Sequence, residues 1–143
     1  MPLDIHNKIK VVRSISPVAV GTTGTGQTGK VVDRSSYEGV ELILSYGTIT
    51  ATNATFTVTM LEGDATGTMT SVANADLLGT ESAAGIAAGT PRTSGSNKNV
   101  TKRLGYIGAK RYVQAKIVST ITAGTPVGAD FLLTNPRVMP VAT

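Results

Sequence analysis

Side chains that usually do chemistry are scarce in these 143 residues: one histidine, His6, no cysteine, and nine Asp plus Glu. Any Ser-His-Asp or Cys-His arrangement would have to pass through His6, whose nearest carboxylate, Asp4, shares an N-terminal segment expected to be mobile. With no further ligand beside them, the two read as a solvent-exposed tail rather than a metal site. Glu62-Gly63-Asp64 could begin a calcium loop, but the dense, regularly spaced oxygen ligands of such a loop do not follow, and a polar turn is the expectation. A glycosidase needs two facing carboxylates and aromatic side chains to grip sugar, and the chain has four Tyr, two Phe and no Trp. No catalytic residue, cofactor or metal is expected, and the chain reads as not an enzyme.

Two further patterns have to be weighed. Gly24-Thr25-Gly26-Gln27-Thr28-Gly29-Lys30 satisfies both G-x-G-x-x-G and G-x-x-x-x-G-K. Each grips phosphate only where the glycine turn runs into a helix N-terminus, and the second also needs Ser or Thr after the lysine to hold magnesium. Val31 stands there, followed by the β-formers Val32 and Asp33, so a flexible Gly/Thr loop is expected. Asn53-Ala54-Thr55 and Asn99-Val100-Thr101 match the N-glycosylation sequon, but MPLDIHNKIK lacks the apolar stretch of a signal peptide, and the matches read as chance. Nor do 18 apolar residues run together, so the expectation is a soluble chain made in a cytoplasm, with no membrane partner.

Thirteen Lys plus Arg against nine acids give a formal charge of +4, short of the clustered footprint of a nucleic-acid binder. Only Tyr106 and Tyr112 lie near the basic residues Lys98, Lys102, Arg103, Lys110 and Arg111, too few for base stacking, so no nucleic-acid partner is expected. An electrostatic match to an acidic protein surface is the simpler use of such charge.

The elements that must position these residues are strands. Apolar residues recur with period two, and Thr, Val and Ile are abundant. Val40, Leu42, Leu44 and Tyr46 share one face; Phe56, Val58 and Met60 oppose Thr55, Thr57 and Thr59; Val113, Ala115 and Ile117 face in while Lys110, Tyr112, Gln114 and Lys116 face out. Residues 62–67 read as a turn, 68–73 as the return arm of a hairpin, and 127–133 as a further strand, with weaker strands at 10–20 and 30–33. Six to eight short strands at even spacing predict an all-β fold, an antiparallel β-sandwich of jelly-roll type, with a core of aliphatic residues. The expected organisation is an extended N-terminal arm over 1–29, a sandwich over 30–134 with a long loop at 80–103, and a tail over 135–143.

The order of segments carries a resemblance. Tyr37-Glu38-Gly39-Val40-Glu41-Leu42-Ile43-Leu44, Ala54-Thr55-Phe56-Thr57-Val58-Thr59-Met60-Leu61-Glu62-Gly63-Asp64, Ser71-Val72-Ala73, Asp76-Leu77-Leu78-Gly79-Thr80 and Gly105-Tyr106-Ile107-Gly108-Ala109-Lys110-Arg111-Tyr112-Val113 resemble the capsid decoration (cement) proteins of tailed bacteriophages, over about residues 30 to 133. The resemblance implies a protein that is made in the host cytoplasm and sits on the virion's capsid exterior. Its implied partners are the major capsid protein, whose neighbouring subunits it bridges, and itself, as a dimer or trimer. The candidate capsid contacts are the basic residues of the arm and loop: Lys8, Lys10, Arg13, Arg92, Lys98, Lys102 and Arg103. The competing expectation is a tail or baseplate structural protein, or a carbohydrate-binding β-sandwich used in host attachment.

Overall fold

Alternation in sequence becomes alternation of buried and exposed faces in the computed structural model, which describes residues 4–20, 26–87, 99–120 and 125–138. Strand β4 (Tyr37–Tyr46) buries Val40, Leu42, Leu44 and Tyr46, and β5 (Phe56–Ala65) buries Phe56, Val58 and Met60. Likewise β9 (Tyr112–Ser119) buries Val113, Ala115 and Ile117, and β10 (Pro126–Pro136) buries Val127, Ala129, Phe131 and Leu133. The remaining strands are β1 (Ile9–Ala19), β2 (Gly26–Thr28), β3 (Val32–Asp33), β6 (Thr68–Ser71), β7 (Leu77–Leu78) and β8 (Thr101–Tyr106). One short helix, α1 (Glu81–Ala84), and 3-10 turns at His6–Lys8 and Asn74–Asp76 complete the described chain.

All pairings are antiparallel. Sheet I has the order β1-β10-β4-β8-β7, and sheet II the order β2-β9-β5-β6, with β3 continuing β2 along the same edge of β9. Taking β2 and β3 as one strand and setting aside the two-residue β7, the pairs are β1 with β10, β2/β3 with β9, β4 with β8 and β5 with β6. This is one long hairpin rolled up on itself, the topology of a jelly roll. The all-β sandwich expected from the sequence is thus what the chain forms.

The core lies between the sheets. Four of the six aromatic residues enter it, Tyr46, Phe56, Tyr106 and Phe131, so it is less purely aliphatic than composition suggested. Tyr46 and Phe56 meet edge to face with centroids 5.7 Å apart. Such contacts add to the stabilisation from area alone.

Three boundaries differ from the sequence reading. Residues 9–19 are not part of an arm: they are the edge strand of sheet I, in register with β10 from Ile9 opposite Thr134 to Ala19 opposite Pro126. Breaks in register between Arg13 and Ile15 and between Ile15 and Val18 scramble the alternation there, which an edge strand containing Pro17 tolerates. Residues 80–87 and 101–103 are not loop either. Thr80 caps α1 by accepting from the Ala83 N–H, Phe56 and Ile86 exchange backbone hydrogen bonds of 2.9 Å, and 101–103 begin β8. Finally, β5 runs through the expected turn to Ala65, and β10 includes Asn135 and Pro136 of the expected tail.

The segment with phosphate-loop spacing contains a strand instead of a helix start. Gly26–Thr28 pairs with β9, and the chain then crosses so that the Lys30 N–H donates to the Ser14 carbonyl at 2.9 Å. A Cβ on Gly29 would lie 2.1 Å from Ser14 Oγ. That glycine therefore lets the two sheets approach at their shared edge.

Candidate functional site

The basic candidates do not converge. Lys8 ends the first 3-10 turn and lines a shallow hollow of about 350 Å³ with Glu38, Asn135, Pro136 and Arg137. Lys10 lies opposite Leu133, on the inward register of β1 but at its exposed edge. Lys102 lies opposite Leu44, also on the inward register, and its Nζ donates to the carbonyls of Ala83 (3.0 Å) and Gly85 (2.9 Å). It thus holds the C-terminal end of α1, where a cation meets the unpaired carbonyls of the last turn. Arg92 and Lys98 lie outside the described residues. Only Arg13 and Arg103 share a surface, the outer face of sheet I, opposite Asp130 and Ile43 respectively.

That outer face is the most unusual surface in the described molecule. Val11 is 63% exposed and Leu78 57% exposed. Leu132, half-buried, lies between them in the register, and the half-buried Ile43 lies in the neighbouring row. Arg103 Nε is 3.7 Å from Glu41 Oε1. A Cβ on Gly105 would come within 2.9 Å of both the Glu41 carboxylate and Leu78 Cβ. The bare backbone there leaves the face low and lets these side chains lie across it. Where β1, β10 and β4 run side by side, Pro17, Gly128, Asp130 and Ser45 border a hollow of about 340 Å³.

The outer face of sheet II differs: Thr57, Thr59, Gln114, Lys116 and Tyr112 dominate it, as the alternation predicted.

A second group of charged side chains, Asp33, Arg34, Glu62, Asp64, Lys110 and Arg111, lies with Tyr106 at one end of the sandwich. Asp33 accepts from Arg111 Nη2 at 2.7 Å and from the Ser35 N–H at 2.9 Å. Chiefly the Arg111 hydrogen bonds hold its pKa down at about 2. Lys110 donates to Asp64, which raises the lysine's pKa. The Tyr106 hydroxyl donates to Glu62 and accepts from the Lys110 N–H at 3.0 Å; burial, and then the Glu62 carboxylate, push it above the usual phenol range. Arg34 stacks over the Tyr106 ring at 5.4 Å and donates from Nη1 to the carbonyls of Gly108 and Lys110, both at 2.9 Å. Glu62 and Asp64 are thus tied to an aromatic hydroxyl and a lysine. Among the described residues no group of three or more His, Asp or Glu is placed to hold a metal ion. Asp4 accepts from the backbone and side chain of Asn7, and His6 stays exposed.

The two sequons have a conformational explanation. Asn53 and Asn99 both adopt left-handed backbone, with φ of 59° and 53°, a region that asparagine enters more readily than other side chains apart from glycine. Turn geometry accounts for both asparagines.

No family model and no curated protein matches the chain. Among solved structures, it is similar to one from Clostridium thermocellum, the CBM22-1 and GH10 modules of the N-terminal endo-1,4-beta-D-xylanase 10B complexed with xylohexaose. The TM-score is 0.44 at 10% identity, covering 96% of this chain and 28% of that one. The chain therefore spans less than a third of that structure's length.

Proposed function

We propose that this chain is a structural virion protein of the tailed-bacteriophage decoration type, which binds the outside of a capsid shell and stabilises it by bridging major capsid protein subunits, with copies that also contact one another. The observation that carries this reading is the outer face of sheet I. There Val11 and Leu78 stand exposed on paired strands among charges of both signs. Apolar side chains fixed on strands and mixed with charge suit contact with another protein better than catalysis or sugar stacking. The resemblance in segment order over residues 30 to 133 is what favours the major capsid protein as that partner. Decoration needs no reaction; it needs a rigid body whose small contacts are repeated around a shell. Lys8 and Lys10, exposed on the first 3-10 turn and the edge of β1, are the described basic residues best placed to meet an acidic shell.

Mixing the protein with emptied capsids tests this. Saturable binding with a rise in capsid melting temperature is expected, and raising salt is expected to slow attachment. Binding on a glycan array with none to capsids would instead make it an attachment protein.

A further inference from the structure

We infer that the outer face of sheet I pairs with the same face of a second copy of this chain, about a two-fold axis running along β4. The cross-strand register lays the face out in rows. One row reads Arg13, Asp130, Ile43 and Arg103 across β1, β10, β4 and β8. The next reads Val11, Leu132, Glu41, Gly105 and Leu78 across all five strands.

An axis along β4 exchanges β10 with β8 and β1 with β7. It sets Asp130 of each copy against Arg103 of the other, Val11 against Leu78, Leu132 against the Glu41 and Leu78 side chains that cover Gly105, and Ile43 against itself. Glu41 also meets its own copy, with Arg103 beside it in each chain. Turning the axis across the strands would set Asp130 against Leu132 and Arg103 against Gly105, which loses every complementary contact. The match is therefore specific to one axis, as an isologous interface requires.

Charge and shape agree with a second copy as the occupant. The two rows carry two cations, Arg13 and Arg103, and two carboxylates, Glu41 and Asp130, so the face is neutral in a chain of formal charge +4. Two copies meeting here avoid the net repulsion they would feel elsewhere. The hollow of about 340 Å³ that Asp130 borders gives the incoming Arg103 side chain room beside its carboxylate.

Four strands about 4.8 Å apart, sharing roughly 20 Å of length, with the two-residue β7 at their edge, give a footprint on the order of 400 Å² per copy. A standard interface buries about 800 Å² per partner. The dimer is accordingly of the weak class, and reinforced where many copies are held on one surface. This deepens the capsid reading by assigning the outer face of sheet I to its self-contact, which leaves the exposed Lys8 and Lys10 to meet the shell. Its test uses the isolated chain, so that the two can fail separately.

Sedimentation velocity of the full chain from about 10 µM to about 1 mM is expected to show a monomer passing into a dimer; a monomer throughout overturns the proposal. Asp130→Arg and Arg103→Asp should each weaken association about tenfold or more, since each change enters the interface twice. An equimolar mixture of these two variants should dimerise again, because opposite charges then face each other at both contacts. If the mixture stays as weak as its components, the pairing of Asp130 with Arg103 is wrong.

The axis has its own measurement, with no cysteine background to subtract. Facing sheets lie about 10 Å apart, too far for a direct disulfide, so a short bismaleimide is the linker. It should join Ile43→Cys chains far faster than Thr59→Cys chains, whose residue lies on the outer face of sheet II. Equal rates would place the contact elsewhere.

Discussion

At one end of the sandwich, where β3, β5 and β8 finish and β4 and β9 begin, side chains of the β3–β4 and β8–β9 connections and of the adjoining strand ends are tied together: Asp33 with Arg111, Asp64 with Lys110, Glu62 with Tyr106, and Arg34 with three backbone carbonyls. At the other end, around α1, hydroxyls join the connections, and the two charged groups, Glu81 and Lys102, bond to backbone rather than to opposite charges. The Thr55 and Thr120 hydroxyls bond at 2.9 Å, Tyr46 donates to the Ala84 carbonyl at 2.7 Å, and Thr80 caps the helix. The difference teaches where long-range order comes from. Charged groups on short, irregular connections fix those connections to one another across the two sheets. Hydroxyls and one short helix instead cover a strand edge, because β6 pairs β5 only from Leu61 onward. The open stretch of β5 is closed by Ile86 on Phe56 and by Glu81, whose Oε1 accepts from the Met60 N–H at 2.7 Å.

If the charged end is the stronger clamp, Arg34→Ala should have the largest effect. It strands the carbonyls of Gly108 and Lys110 and uncovers the Tyr106 ring, so a loss of about 3 kcal/mol in urea unfolding is expected. Tyr106→Phe, which leaves Glu62 and the Lys110 N–H without their shared hydroxyl, should cost about 2 kcal/mol. At the α1 end Glu81→Ala should cost about 1.5 kcal/mol through the unsatisfied Met60 N–H, and Tyr46→Phe about 1 kcal/mol. Equal losses from the two tyrosine variants would erase the contrast. Acid should give the smallest effect. The pKa of Asp33 is lower in the folded chain, about 2, than its ordinary 3.8. Its contribution is therefore fully present above pH 4 and is lost as pH falls toward 2. For so exposed a pair this is well under about 1 kcal/mol, and Asp33→Asn should flatten the stability profile in that window only.

Sequence alone exposed the central strands because their geometry is regular. Residues 40–46, 56–60 and 113–117 alternate without a break, and each buried face follows from it. It showed β1 only as a weaker strand at 10–20 within an expected arm, because bulges bury Ser14 and Ile15 side by side and leave Val18 exposed. It left 80–87 in a loop because Gly85 weakens a helix there, while the role of that glycine is to let the chain close on β5: a Cβ on it would meet the Phe56 carbonyl at 2.3 Å. The charged end was out of reach for another reason. Its pairs are 44 to 78 residues apart in sequence, and nothing local marks Glu62 as the partner of Tyr106 or Asp33 as the partner of Arg111. Of the basic candidates, Lys102 shows the same limit, since only the fold brings it to the end of α1.

The place of β10 within sheet I has a consequence for the order in which the molecule is made. That strand lies between β1 and β4, so during synthesis the first strand of the chain has no partner in its own sheet until residues 126–136 have emerged. Sheet II, by contrast, is complete once β9 ends at Ser119. A nascent chain can therefore assemble one layer of the sandwich while the apolar side of that layer still lacks half of its cover. Pairings this distant in sequence form slowly, and the half-built stage is where unpaired edges invite aggregation. Chaperone dependence should accordingly concentrate in that interval and end when the last strand slides into the gap.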